Sequence, residues 1–176
     1  MKKIVFLITF ISCSLNVKSQ MAYGFALSSG VNSISIDDFT FVNIPIKGEF
    51  EMVANPGFSF SIYLNYEFSL NSRELMYSKP EKGDVLEIGF VNLNFALLND
   101  LDMGNSIILN IGTGITTNPK FISGYGRFGV TGQKQISKTK FLFANVNYIK
   151  PILGDYPRKG YIKNRFELNF GIKFLR

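Results

Sequence analysis

The chain contains no histidine, no tryptophan and a single cysteine among its 176 residues. Without histidine it can form neither a serine–histidine nucleophile pair nor a histidine-ligated metal site. The cysteine, Cys13, lies near the N-terminus, and beyond it the sequence offers no disulfide, reactive thiol or cysteine-based metal site. We therefore expect a protein that is not an enzyme and that uses no catalytic residue, metal or cofactor.

Charge is scarce as well. Charged residues make up 18% of the chain, against about 25% in typical soluble domains. The formal net charge is +6, and three of the 19 basic residues lie before residue 20, which leaves 16 basic and 13 acidic residues, a balance of +3. No dense basic patch is present, so nucleic acid is not expected as a partner.

Long apolar runs are missing, and the nearest approach to one is at the N-terminus. Residues 4–15 are apolar but too few to form a membrane-spanning helix, which needs about 20 residues. They follow Met1-Lys2-Lys3 and precede Ser19, the layout of a cleaved secretory signal peptide over residues 1–19. An alternative is a lipid on Cys13, because residues 10–13 loosely resemble a lipoprotein cleavage box. Residues 20–176 then form one domain.

Large apolar residues alternate with small or polar ones along most of the chain. In residues 165–174 every even-numbered residue is Phe, Leu or Ile, and the odd-numbered ones are Arg, Glu, Asn, Gly and Lys. A period of two indicates a β-strand with two different faces and excludes a helix, whose period is 3.6. The eight predicted strands are residues 23–32, 58–68, 73–79, 85–98, 106–116, 124–133, 141–149 and 165–174.

Eight strands with short connections and no helical pattern predict an all-β fold, an eight-stranded antiparallel up-and-down barrel. Closure is expected because an open sheet would leave two unpaired edges. The alternation slips by one residue around Gly89–Val91, which predicts a β-bulge in the fourth predicted strand.

Alternation alone does not say which face points inward. A lipocalin-like soluble barrel would bury the apolar face around a ligand, whereas an outer-membrane barrel turns it toward lipid. Here the polar face consists mainly of Ser, Asn, Gly and Ala with isolated charges, which suits a narrow lumen better than a surface in water. We therefore predict a transmembrane barrel. Four tyrosines near strand ends fit its aromatic girdles: Tyr23, Tyr66, Tyr77 and Tyr148.

With the N-terminus in the periplasm, residues 33–57 become the first extracellular loop, and residues 70–72 and 136–138 become periplasmic turns. The loop is unusually apolar and resembles a hairpin that extends the first and second predicted strands above the membrane. It either packs on itself over the barrel mouth or presents an interaction surface to a protein partner. The candidate interaction residues are Phe39, Phe41, Ile44, Ile46, Phe50 and Met52.

The polar faces of the predicted strands carry a few charges that would lie in the lumen. Because unpaired charges in so narrow a space are unfavourable, we predict two structural clusters of ion pairs and hydrogen bonds. The outer cluster contains Glu87, Arg127, Arg165 and Glu167, and the periplasmic one Glu67, Glu74 and Lys173. Glu67 and Glu74 could also act as a catalytic carboxylate pair, but ion pairing is the favoured interpretation.

Four short motifs stand out along the predicted strands and turns: residues 56–60 (Pro-Gly-Phe-Ser-Phe), 74–79 (Glu-Leu-Met-Tyr-Ser-Lys), 86–88 (Leu-Glu-Ile) and 170–174 (Phe-Gly-Ile-Lys-Phe). On these motifs the chain resembles the porin-family outer membrane beta-barrel domain proteins, the OmpA/OmpX-like and PorT-like eight-stranded barrels. The chain departs from that pattern twice. Gly89 replaces the proline that often follows Leu-Glu-Ile, and Leu175-Arg176 follow the aromatic residue that usually ends the last strand.

The resemblance implies a protein of the outer membrane of Gram-negative bacteria, with outer-membrane lipid and the barrel-insertion machinery as partners. It implies a non-enzymatic role that is structural or based on protein interaction. The alternatives are a narrow porin-like channel for small solutes and a PorT-like component of a protein export apparatus.

Overall fold

The computed structural model describes residues 22–36, 39–75, 78–100, 104–118, 121–156 and 164–176. The predicted signal peptide and Cys13 lie outside these residues. Among them, no helix has the length and apolar character needed to cross a membrane. The strands are β1 Ala22–Ile36, β2 Phe39–Asn55, β3 Phe58–Ser69, β4 Ser72–Leu75, β5 Ser78–Lys82, β6 Val85–Asp100, β7 Asn105–Asn118, β8 Phe121–Ser137, β9 Lys140–Tyr156 and β10 Arg165–Leu175.

Eight of these strands close into an antiparallel barrel in the order β1-β10-β9-β8-β7-β6-β3-β2. The last strand pairs with the first, with Phe174 opposite Phe25 and Leu168 opposite Val31. The backbone of Tyr23 exchanges two hydrogen bonds with that of Arg176, at 3.0 and 2.8 Å. We call the end of the barrel with Ala22 and Leu175 the terminal end and the opposite one the far end. The predicted all-β barrel of eight antiparallel strands is confirmed.

One of the eight strands differs from the prediction. Residues 33–57, predicted as a loop, contain the end of β1 and the whole of β2, which pairs with both β1 and β3. Pro45 and Gly48 resemble loop residues, yet the barrel accommodates them. Pro45 has no amide hydrogen to donate, and the pairing with β1 is interrupted there, between Ile46 and Asn43.

The predicted third strand, residues 73–79, is not part of the barrel wall. Instead β4 and β5 pair with each other as a short hairpin, and β3 pairs directly with β6. The strands β4 and β5 have four and five residues. Both are too short to cross a bilayer, which takes a strand of about 9–11 residues. The predicted number of strands was therefore right although one member was wrong.

Because β2 takes the place of the predicted strand 73–79 in the wall, β3 runs in the direction opposite to the predicted one. The turn at residues 70–72 consequently lies at the far end, so its predicted position beside the termini is wrong, whereas residues 136–138 do lie at the terminal end. The predicted bulge is confirmed: the register shifts between Gly89 and Val91 against β7, and between Ser61 and Tyr63 where β3 meets β6.

The two faces of the wall are chemically distinct. The apolar positions point outward and remain open, as with Phe166 (67% exposed) and Phe170 (59%), while the polar positions between them are buried in the lumen, as with Asn169 (0%). Tyr23 and Tyr66 are exposed on the outer face; Tyr77 lies outside the described residues. The barrel is thus apolar outside and mainly polar inside.

Candidate functional site: the sealed lumen

Five charged side chains meet in the far half of the lumen, and we call them the charged cluster. They come from inward positions on four strands: Glu67 on β3, Glu87 on β6, Arg127 on β8, and Arg165 and Glu167 on β10. Each is at most 5% exposed. The alternation of each strand turns these residues inward, and closure of the barrel brings the strands opposite one another.

The two arginines bridge the three carboxylates. Arg165 donates through Nη2 to Glu87, and its Nη2 lies 3.4 Å from Oε1 of Glu67. Arg127 donates through Nη2 to Oε1 of Glu167 at 2.8 Å, and its Nη1 lies 3.9 Å from Glu87. Three carboxylates and two guanidinium groups leave a formal charge of −1 in the cluster.

Two tyrosines and several amides surround these ion pairs. The Tyr63 hydroxyl donates to Glu87 and lies 2.5 Å from the Tyr125 hydroxyl, so the pair spans the lumen beside the cluster. The Arg127 guanidinium carbon lies 4.8 Å from the centroid of the Tyr63 ring. Asparagine side chains donate to two of the three carboxylates. Asn43 and Asn65 donate to Glu67, and Asn169 donates to Glu167.

Beyond the charged cluster, the lumen is closed at the far end by an apolar group that we call the cap. It consists of Ile34, Ile36, Phe41 and Val85, each at most 1% exposed, with Phe39 packed against it. Gly83 leaves room for Phe41, because a Cβ at that position would collide with its ring. The charged cluster and the cap therefore close the lumen at two successive levels.

The terminal half of the lumen is more open. Two ion pairs line it, Lys47 with Glu49 and Lys173 with Glu51, both at 2.8 Å. Next to Lys173 a cavity of about 210 Å³, the vestibule, reaches the terminal end and is bordered by the residues 55–57 turn and Leu175. The lumen is therefore asymmetric, with a blocked far half and a vestibule at the terminal end.

No protein-family model matches the chain, and no curated protein matches it in sequence. Solved structures with the same architecture do exist. Neisserial surface protein A superimposes with a TM-score of 0.67 at 10% identity, covering 87% of this chain and 96% of that one. Ail, the attachment invasion locus protein of Yersinia pestis in complex with a heparin analogue, gives 0.59 at 9% identity, covering 90% and 100%. The fold is that of the eight-stranded outer-membrane barrels.

An outer-membrane barrel of this kind crosses the bilayer with its strands, which agrees with the apolar outer face. The OmpA/OmpX-like architecture implied by the sequence resemblance is thereby confirmed at the level of the fold. The soluble lipocalin-like alternative requires the apolar face to point inward, and in this barrel that face points outward.

The barrel gathers most, but not all, of the predicted lumen charges. Glu67, predicted near the termini, joins the far-half cluster because β3 runs in the opposite direction. Lys173 does lie near the terminal end, but its partner is Glu51. Glu74 is exposed on β4, outside the barrel wall, so its assignment to the lumen and to a carboxylate pair with Glu67 is wrong.

The residues predicted as an extracellular interaction loop instead belong to β2 of the barrel wall. Ile46 and Phe50 are exposed on its apolar outer face, whereas Phe41 is fully buried in the cap. Phe39 packs against the cap, and Ile44 and Met52 also lie within β2. The loop prediction is wrong because the alternation continues through this segment with apolar residues on both faces.

Sequence reasoning missed several residues of the sealed lumen. Tyr63 and Tyr125 had no predicted role beyond their strands, and Lys47, Glu49 and Glu51 fell within the predicted loop. A usable signal was present. On β2, Lys47, Glu49 and Glu51 continue the inward parity of Asn43. On β3 and β8, Tyr63 and Tyr125 continue that of Asn65 and Arg127.

The charged cluster is suited to ion pairing rather than to metal binding. One oxygen from each of Glu67, Glu87 and Glu167 lies within 4.8 Å of the others, a spacing that a cation could bridge. Arg127 and Arg165 already supply the neutralising charge, and a divalent ion would meet both guanidinium groups. The arrangement therefore seals and cross-links the wall.

Proposed function

We propose that the protein is a non-enzymatic barrel of the bacterial outer membrane with a structural or protein-interaction role. The observation that carries this proposal is the double seal of the lumen by the charged cluster and the cap. Such a barrel anchors the segments at its two ends on opposite sides of the bilayer, and its closed lumen passes no solute. The termini face the periplasm, and the far end faces outward.

The seal argues against the alternative of a narrow porin-like channel. A solute would have to separate buried ion pairs and then displace Ile34, Ile36 and Phe41. The PorT-like export component is the other alternative, and it is supported by the sequence resemblance alone.

Electrical recording tests this proposal. We expect purified protein inserted into planar bilayers to show no stable, large conductance, because the far half of the lumen is filled. Insertion is verified by heat-modifiable gel mobility of the same sample. A persistent open pore in correctly folded protein would overturn the sealed barrel, and recovery in the soluble periplasmic fraction of cells would overturn the membrane location.

The β4–β5 hairpin is the part of the described chain best placed to meet a protein partner. It connects β3 to β6 at the far end and forms its own two-stranded sheet outside the barrel wall. We propose it as the contact element in place of the first loop.

Because the hairpin pairs only with itself among the described strands, the wall should not depend on it. Replacing residues 72–82 with a short Gly-Ser linker is expected to change the free energy of unfolding by less than about 0.5 kcal/mol. Urea unfolding in lipid vesicles measures this change. Asn71 is retained because its side chain accepts from the Val42 amide at 2.8 Å. A large loss of stability would mean that the hairpin is part of the barrel rather than an appendage.

A further inference from the structure

One side of the barrel carries positive charge without negative charge. Residues 103–154 contain no Asp or Glu, and they include all of β7 and β8 and most of β9. Three lysines of this region lie close together where β8 turns into β9 at the terminal end. Lys134, Lys138 and Lys140 are all exposed.

Two of these lysines are neighbours on the outer face. Lys134 lies opposite Leu142, and Lys140 precedes Leu142 by two residues on the same strand. The register shifts between Gln135 and Ser137, so that Lys140 pairs with Ser137 and the two lysines flank the end of the β8–β9 ladder. Lys138 occupies the turn between them. The Lys140 ammonium is 6.0 Å from the centre of the Phe174 ring. The three ammonium groups can therefore reach one anionic group at the edge of the apolar surface.

Beside the lysines the apolar surface has a shallow gap. Gly132 is exposed on the outer face, and a Cβ added there would meet no atom within 4 Å. Its partner on β9 is Ala144, another small residue. Val130 (42% exposed) and Leu142 (50%) border this slot, which leads from Lys134 toward the middle of the barrel.

We propose that this surface binds one anionic phospholipid of the periplasmic leaflet. The lysines hold its phosphate, and one acyl chain lies in the slot over Gly132 and Ala144. Each basic residue near an anionic membrane surface contributes a favourable interaction with headgroup phosphates. The slot distinguishes a lipid from free phosphate, which would need the lysines alone. The assignment to that leaflet rests on the proposed outer-membrane location.

The test uses the full chain in nanodiscs of phosphatidylethanolamine with a minority of phosphatidylglycerol. Native mass spectrometry measures the ratio of the two lipids retained on the protein. For the wild type we expect phosphatidylglycerol to be enriched about threefold or more over the bulk lipid. The variant Lys134→Gln/Lys138→Gln/Lys140→Gln should return to the bulk ratio. Gly132→Leu should at least halve the enrichment while every lysine remains.

Matched controls separate this site from general effects. Lys82→Gln/Lys150→Gln removes two exposed lysines that lie outside the proposed site. Gly48→Leu fills an outward glycine position on β2, away from β8 and β9. Both variants should retain the wild-type enrichment. Equal enrichment in the triple lysine variant would overturn the proposal. Displacement of the lipid by inorganic phosphate, with no effect of Gly132→Leu, would also overturn it in favour of a phosphate site.

Heat-modifiable mobility of the same nanodisc samples separates the two levels of the proposal. Wild-type protein that inserts as a folded barrel yet retains lipid at the bulk ratio contradicts the lipid site alone. Protein that does not insert contradicts the outer-membrane barrel as well.

Discussion

Replacing Arg165 with methionine is expected to lower the free energy of unfolding by about 3–5 kcal/mol. Arg165 is 2% exposed and contacts both Glu67 and Glu87. Methionine fills much of the same space but leaves these carboxylates facing each other without their bridging cation. Because the cluster already has one carboxylate more than it has arginines, no spare positive charge is available within it. Urea unfolding in lipid vesicles, followed by gel mobility, measures the loss.

The matched control is Glu67→Gln, which removes the surplus negative charge and keeps the shape of the side chain. Asn43 and Asn65 donate to different oxygens of Glu67, at 3.3 and 3.1 Å. Glutamine offers only one oxygen, so one of the two amides loses its acceptor. We expect a loss of about 1–2 kcal/mol, smaller than that of Arg165→Met, because one neutral hydrogen bond is lost while Arg165 keeps its partner Glu87. Removing all five charges, with Gln for Glu and Met for Arg, should be less harmful than Arg165→Met alone, because no buried charge is then left unpaired. If Arg165→Met is tolerated as well as Glu67→Gln, the charged cluster does not hold the wall together.

The fold could be predicted from the sequence to the extent that the two faces of each strand differ. In β10 and β3 large apolar residues alternate with small or polar ones along most of the strand, with Tyr63 as an aromatic residue on the inner face of β3. Both strands were located closely. In β2, Phe41 and Val42 are adjacent and both apolar, since one belongs to the cap and the other to the outer face. Alternation cannot reveal a strand where the lumen itself becomes apolar.

The lumen site was harder to predict because it depends on strand direction. The parity of Glu67 and Glu87 correctly predicted that both residues lie inside the barrel. Because β2 was missed, β3 was predicted to run in the opposite direction, and Glu67 was therefore assigned to the wrong end. Pairing across a barrel is set by closure and register, and one error in the strand list changes every partner of the strand concerned. The Tyr63–Tyr125 contact joins residues 62 positions apart in the chain, and no local pattern indicates it.

Replacing Val146 with arginine tests the outer face most directly. Val146 is 52% exposed and lies opposite Leu168 and Val130, in the middle of the apolar surface. In lipid an arginine near the bilayer midplane should cost about 2–4 kcal/mol. In a barrel surrounded by water, the same exposed position would accept arginine within about 0.5 kcal/mol. Unfolding in lipid vesicles therefore reports which solvent this face meets.

Ile122→Arg is the control for depth. Ile122 is also apolar and exposed, at 60%, but it is the second residue of β8, at the far end of the wall. Arginine near the bilayer interface costs only about 0–1 kcal/mol, because the side chain reaches the headgroups. A larger loss for Val146→Arg than for Ile122→Arg follows from a lipid-facing wall. Equal and small losses at both positions would mean that the apolar face is not in a bilayer, and the exposed rows of Phe, Leu and Ile would then need a protein partner to cover them.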